Sequence, residues 1–319
     1  MGSRSLKKGN SLLRQEREVG FGLIQAEKAQ GCTIPIRVWC AHLDMTVSGY
    51  HAFVKRPEGT RVQENVVLLK HIEDLFEDSK HTYGAPRITA ALRDEGFEVS
   101  RKRVARLMHK QGLHATIPRA FVKTTDSNHD NPTFANVIDR NFEVDAPNTL
   151  WLTDITYIHT TDGFLYLAAV MDAFSRKIIG YSIEDHMETS LCEEALQMAL
   201  RNRKKHIKLI HHSDRGSQYT SHRYQKLLEE AEITCSMSRV GQCWDNAMME
   251  SFFGTLKKER IYRMPLMTKA FMKQDITQWI ETWYNSRRIH SKIGYKSPMG
   301  FEAEYKNQHH RQELNRMVA

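Results

Sequence analysis

The sequence predicts an α/β domain, a mixed five-stranded sheet with flanking helices, preceded by small all-α helix-turn-helix-like modules. Three observations carry that prediction. From Glu64 to Ala115 the apolar residues recur at helical spacing. From Asn148 they alternate with period two in three closely spaced runs, and beyond Glu188 helical and strand-like segments take turns. At 319 residues the chain has room for more than one domain.

Taken in order, residues 1–33 form a polar segment that reads as a helix or a linker. Met1–Ser5 carry no structural weight there, and the apolar positions are scattered (Leu12, Leu13, Val19, Leu23, Ile24). Residues 34–60 read as a short helix, a turn at Asp44–Met45 and a second helix after Thr46 or Ser48. Both a helix-turn-helix and two ordinary packed helices fit that pattern. Residues 61–122 predict three helices. Val66, Leu69, Ile72, Leu75 and Phe76 recur at helical spacing in the first, and Tyr83-Gly84 ends it. Pro86 suits the first turn of the second, which stops near Gly96. Ser100 caps the third, with Val104, Leu107 and Met108 on its apolar side. The other sides of that helix carry Arg101, Lys102, Arg103, Arg106 and Lys110, either a solvated face or a surface for nucleic acid. Residues 123–143 are a polar linker, 144–305 the α/β domain and 306–319 a carboxy-terminal tail.

Within 144–305 the strands are Leu150–Ile158, Phe164–Asp172 and Lys177–Ile183, then a helix Glu188–Arg203 and a strand Ile207–His212. A helix Tyr219–Ala231, a strand Ile233–Ser236 and helices Trp244–Arg263 and Lys269–Tyr284 complete the series. The order is that of a ribonuclease-H-like fold, an α/β sheet beginning with an antiparallel meander.

Charge narrows the function. The net charge is +8, and its distribution says more than its total. Residues 101–123 hold seven Lys or Arg and no acid; residues 151–200 sum to −6 and 201–296 to +10. Basic zones flanking an acidic segment suit a protein that grips nucleic acid around a metal-binding centre. Five cysteines without a C-x-x-C pair argue against a disulfide framework or zinc knuckle and for reduced cytosolic thiols. No apolar run approaches a membrane span, so the expectation is a cytoplasmic protein without membrane contact.

Three acids stand out. Asp154 lies mid-strand on a face otherwise made of Leu150, Leu152, Thr156 and Ile158, where a carboxylate is costly unless paired or bound to a cation. Asp214 ends the fourth strand before Gly216, at the kind of strand end where open α/β sheets bind ligands. Glu250 sits on a helix whose opposite face is Met248, Phe252 and Leu256. Singly, these fit a salt bridge, a turn cap and a solvated residue. Jointly they leave 35 residues between Asp214 and Glu250, with Asp154 60 residues before Asp214.

That spacing, with WLTDITYI, HSDRGSQYTS, GQCWDNAMMESFFGTLKKE and YNSRRIHSKIGYKSP, resembles the catalytic, second-frame subunit of the IS-three type of bacterial insertion-sequence transposases, from about Ile34 to Phe301. The resemblance implies an integrase catalytic core of the Asp-Asp-Glu recombinase superfamily, cutting 3′ ends and transferring strands. It implies Asp154, Asp214 and Glu250 as catalytic residues and ligands of two Mg²⁺ ions, with Asp154 bridging and Mn²⁺ able to substitute. Hard divalent cations take oxygen ligands, and a pair about 3.5–4 Å apart suits phosphoryl transfer. The resemblance places a DNA contact at Lys257. Asn246, Gly254 and Lys257 share the helix face of Glu250, Gly254 leaving room for a DNA backbone. Lys258, Gln218 and Asn246 are further DNA-contact or supporting candidates. Asn285, Arg288 and His290 fit either DNA contact or packing, with Arg288 taken as a DNA contact. Asp172 reads as a turn or network residue, and His211 and His212 lack the spacing of a zinc site.

The implied partners are double-stranded DNA, as transposon ends and target, and further copies of the chain, at least a dimer on DNA. The family also joins an upstream-frame protein, as partner or fusion, and a nucleoid-associated location follows. Two alternatives remain at this stage. A retroviral-type integrase shares the triad but carries an amino-terminal His/Cys zinc domain, absent here. A DNA-binding regulator would keep 34–115 working and the α/β core idle.

Overall fold

The computed structural model describes residues 17–55, 60–115, 134–138, 142, 144–203, 208–238 and 246–318. Most of the linker 123–143, the first 16 residues, Cys243 and Trp244 lie outside the described residues. The chain divides into two compact units, Met1–His71 and Ile72–Ala319.

In the first unit a helix over 17–29 (α1) precedes α2 (Ile36–His42) and α3 (Val47–Lys55). Asp44, with a left-handed φ of 51°, makes the turn between α2 and α3, and the Met45 N–H closes it on the Cys40 carbonyl at 2.8 Å. Phe21, Ile24, Cys40 and Tyr50 form the buried cluster, with Phe21 in ring contact with Tyr50 and Phe53. Residues 17–29 therefore belong with 34–55 rather than standing apart as a polar segment. Phe21 and Ile24, one helical turn apart, supply the anchor. At Gly49 a Cβ would lie 3.0 Å from the Phe21 ring, so this glycine lets α1 and α3 close up.

The unit boundary falls within α4 (Thr60–Asp78). Its buried stripe is Leu68, Ile72 and Phe76; Val66, expected on that stripe, is 62% exposed. Helices α5 (Ala85–Asp94) and α6 (Arg101–Lys110) follow, burying Ile88, Leu92, Val104, Leu107 and Met108. Ser100 caps α6 as expected, accepting the Arg103 N–H at 3.3 Å. Opposite the buried residues, Arg101, Lys102, Arg106 and Lys110 are exposed and Arg103 is half-buried.

The sheet consists of β1 (Leu150–Thr160), β2 (Gly163–Asp172), β3 (Lys177–Glu184), β4 (Ile210–Ser213) and β5 (Thr234–Met237), in the order β3-β2-β1-β4-β5. The first three strands form the expected antiparallel meander; β4 and β5 are parallel to β1. Period-two alternation divides β1 between two cores. Leu150, Leu152 and Ile158 face a cluster built with α10 (Ala247–Glu259), α11 (Lys269–Gln278) and a π-helical turn, Trp279–Tyr284. Trp151 and Ile155 face the other, built with α7 (Thr189–Asn202) and α9 (His222–Glu230). A Cβ at Gly180 would lie 2.2 Å from the Ala195 carbonyl, so the glycine lets α7 rest directly on β3.

The expected helix Tyr219–Ala231 is broken in two: α8 (Ser217–Thr220) precedes Ser221, which caps α9 by accepting the Tyr224 N–H. The tail expected at 306–319 belongs to α12 (Pro298–Val318), a single helix. Among the described residues no helix is long and apolar enough to cross a membrane. Cys32, Cys40, Cys192 and Cys235 are free thiols.

Candidate active site

The parallel pairing of β1 with β4 sets the first two acids side by side. Leu150 pairs with Ile210, Trp151 with His211 and Leu152 with His212, a constant offset of 60 residues. Asp154 and Asp214 each lie two residues beyond the last pair, at the same end of the paired segment, and the charge of Asp214 acts on Asp154. The chain then turns sharply, with the Gly216 N–H donating to Asp214 Oδ1 at 2.9 Å. A Cβ at Gly216 would sit 3.1 Å from that same oxygen, so a larger residue would crowd the carboxylate.

Glu250 reaches this point on the first turn of α10, whose apolar side (Met248, Met249, Phe252, Phe253, Leu256) is buried against the sheet. The N-cap residue, Asn246, donates from Nδ2 to the Thr153 carbonyl at 3.1 Å. The helix carrying the third acid is thus tied to the strand residue immediately before the first.

The electrostatics record this proximity. Burial, then the charges of Asp214 and Glu250, drive the Asp154 carboxyl well above the usual carboxylate range. The Ile155 N–H, 2.8 Å from Asp154 Oδ1, and the Lys257 ammonium pull the other way. Partial burial also raises Glu250. Lys257 is lowered by burial and supported by Asp154, and its Nζ lies 4.9 Å from the centroid of the Tyr157 ring. Among the described residues no three His, Cys, Asp or Glu side chains are gathered closely enough to hold a metal ion unaided. Mutual repulsion of carboxylates works against such closure. Three carboxylates nevertheless supply the oxygen donors that a hard divalent cation takes, and such a cation would relieve the repulsion that raises Asp154.

The remaining candidates separate cleanly. Gln218 donates to the Met187 carbonyl at 2.9 Å, close to the Asp214 turn. Lys258 is half-buried beside Lys257. Arg288, taken from sequence as a DNA contact, is only 3% exposed and forms a two-armed pair with Glu259, both bonds 2.7 Å. Its guanidinium is committed inside the protein, which corrects that expectation. Asn285 is likewise internal, its amide donating to and accepting from the Ile178 backbone at 2.9 Å, and His290 lies against Arg288. Packing, not DNA, accounts for this motif. Asp172 is the network residue expected, accepting the Asn148 and Phe174 N–H groups, with its carboxyl pushed by burial to about 6. His211 bonds Tyr224 and His212 bonds Ser236 and Ser238, a structural use of both rings.

Sequence reasoning missed the partners of Glu259. Arg87 of α5 approaches its Oε1 at 3.5 Å and stacks over Tyr83, whose hydroxyl accepts the Ile289 N–H at 2.9 Å. Helix α5 and the turn before it are thereby joined to the end of α10 and to Ile289, through contacts 172 or more residues apart in sequence.

Comparison with known proteins agrees with this architecture. Residues 63–121 match the HTH-like domain family, and residues 144–243 and 231–298 match two integrase core domain families. The transposase for insertion sequence element IS904 of Lactococcus lactis subsp. lactis is 43% identical over 248 residues, covering 78% of this chain and 98% of that protein. An uncharacterized 31 kDa protein of insertion element IS600 from Shigella sonnei is 38% identical, over 83% of this chain and 98% of its own. Transposase InsF for insertion sequence IS3A of Escherichia coli K12 is also 38% identical, over 84% of this chain and 93% of its own. Among solved structures, the HTLV-2 integrase catalytic core domain in complex with magnesium is 16% identical, over 49% of this chain and 96% of its own, with a TM-score of 0.38. With relatives this close along most of its length, the chain belongs to the IS3-family insertion-sequence transposases, polynucleotidyl transferases built on a divalent-metal-dependent integrase core.

Proposed function

We propose that Asp154, Asp214 and Glu250 are the catalytic residues with which this transposase cuts 3′ strand ends and transfers them to new DNA. The observation that carries the reading is the 60-residue register between β1 and β4, with α10 tied to Thr153 by Asn246. Asp154, Asp214 and Glu250 would together hold Mg²⁺ or Mn²⁺, two ions in the proposed reading, which would supply Lewis acidity to the phosphate under attack. The protein's own groups do the positioning. Lys257, beside Asp154, offers its ammonium to a DNA phosphate or base edge. Gly254, with open space where a Cβ would stand, leaves the Glu250–Lys257 face flat for the approaching strand. The basic face of α6, with Arg101, Lys102, Arg103 and Arg106, suits a phosphate backbone, which attracts clustered cations in any sequence context.

Double-stranded transposon ends and target DNA are the proposed substrates. Joining two ends calls for at least two copies of the chain on DNA, with an upstream-frame protein as a further partner. The test is a strand-transfer assay with labelled end DNA and Mg²⁺, comparing the intact protein with Glu250→Gln. Joined products are expected to disappear in the variant while DNA binding persists. Equal activity in both would overturn the assignment.

A further inference from the structure

Beyond Asp154, β1 runs on into its hairpin with β2, while the pairing with β4 covers only Leu150–Leu152. Tyr157 stands opposite Tyr166 and His159 opposite Phe164, all four on the face that carries Trp151, Ala168 and Val170 deeper in the sheet. Those deeper residues are sealed by helices. Toward the hairpin the cover ends, and His159 and Phe164 are exposed, Phe164 at 42%.

An exposed face of an antiparallel sheet ordinarily carries polar side chains. Here it carries a continuous row of rings: Tyr157–Phe164 centroids are 5.6 Å apart, His159–Phe164 4.3 Å and Phe164–Tyr166 6.4 Å. Cross-strand pairing stabilises a hairpin, yet it requires neither the exposure nor the cation. The Lys257 ammonium sits over the Tyr157 ring, and the same ammonium feels Asp154. Tyr262, 44% exposed, lies close enough to Tyr157 to feel it. Asp154 alternates onto the opposite face of β1, and Lys257 links it, past the strand edge that β4 leaves unpaired beyond Leu152, to an aromatic row that begins three residues, about 10 Å, along the strand.

We propose that Tyr157, His159, Phe164 and Tyr166 form a base-stacking platform for one or two unpaired nucleobases of the DNA strand held at Asp154. The proposal rests on the transposase reading and adds to it a requirement for a locally opened end. Charge selects bases over backbone. At the outer end of the row, Glu184 lies opposite Tyr166 and pairs with Lys273, and neighbouring Asp185 pairs with Lys269, so no surplus of cations is present there for phosphates. Neutral bases with π faces suit exposed rings, and an intact duplex would keep those faces stacked internally.

The test uses the whole chain and two probes of the element's terminal sequence, one fully paired and one forked, with 2-aminopurine at the unpaired positions. The intact protein is expected to quench the 2-aminopurine and to prefer the forked probe. Phe164→Ala is expected to abolish the quenching and weaken forked-probe binding by roughly 5- to 100-fold, leaving paired-probe binding unchanged. Phe164→Leu, which keeps apolar bulk without a π face, is expected to behave like the alanine variant, and its melting curve checks the fold. Glu250→Gln is expected to quench normally, so failure of the triad and failure of the platform give different results. Absence of quenching in the intact protein, equal loss of both probes, or loss of self-association in Phe164→Ala would overturn the platform, the last outcome marking the face as an interface between copies.

Discussion

Gly254 occupies the interior of α10, where glycine costs a helix about 1 kcal/mol relative to alanine. Nothing in the fold asks for it, because a Cβ at this position would meet no atom within 4 Å. Gly254→Ala should therefore stabilise the protein by about 0.5–1 kcal/mol, raising the melting temperature by about 2–4 °C per kcal/mol in a chain of this size. Activity should move the other way. Residue 254 lies one turn beyond Glu250, about 6 Å along the axis, on the face that continues to Lys257. A methyl group there intrudes where a DNA backbone would lie, and displacement of a reacting group by about 1 Å can cost roughly 100-fold in rate. Thermal melts with and without DNA, alongside strand transfer on labelled ends, measure both effects. A variant that is more stable and fully active would refute the close approach of DNA at Gly254.

Two further outcomes follow from buried charge. Arg288→Met strands Glu259 in the interior with Arg87 alone and is expected to cost about 3–5 kcal/mol, with Arg288→Met/Glu259→Met recovering most of it; equal melting of the two variants would refute the pairing. Burial holds His211 neutral down to about 3, and burial with the surrounding arginines holds His290 neutral down to about 2. Below an unfolded value near 6.5 the unfolded chain takes up these protons and the folded chain does not. Stability is thus full above 6.5 and falls with pH by up to about 1.4 kcal/mol per unit for each ring. Asp172 between about 6 and 4, and the raised carboxyls of Asp154 and Glu250, oppose this, because a raised carboxyl favours the fold as pH drops. Urea titrations at pH 7, 6 and 5 should show the intact protein losing stability faster than His290→Asn as pH falls, and parallel profiles would mean that this ring is charged within the fold.

The three acids proposed as catalytic stand out in the sequence because their signals are local. Alternation exposes a carboxylate on an apolar strand face, and helical spacing aligns Asn246, Glu250, Gly254 and Lys257. The antiparallel meander was legible for the same reason, since each run of β1, β2 and β3 announces its own period. Residues whose meaning depends on distant partners were not. Arg288 reads as one more cation in a basic stretch until Glu259, 29 residues earlier, is seen against it. The α1 helix looked polar because two anchors, Phe21 and Ile24, suffice to attach it. The aromatic row was visible only as Tyr157-x-His159 and Phe164-x-Tyr166 flanking a turn. That pattern says which side chains share a face, but not that the helical cover stops short of them.

The Arg87–Glu259–Arg288 contact bears on how such a protein can be rebuilt. Its three members come from the helices before the linker, the end of the catalytic helix and the segment after the π-helical turn. A graft that replaced residues 63–121 with those of a relative would import a new residue opposite an old buried carboxylate. Any change in DNA recognition would then arrive together with a packing fault beneath α10, unless positions 87, 259 and 288 were inherited as a set.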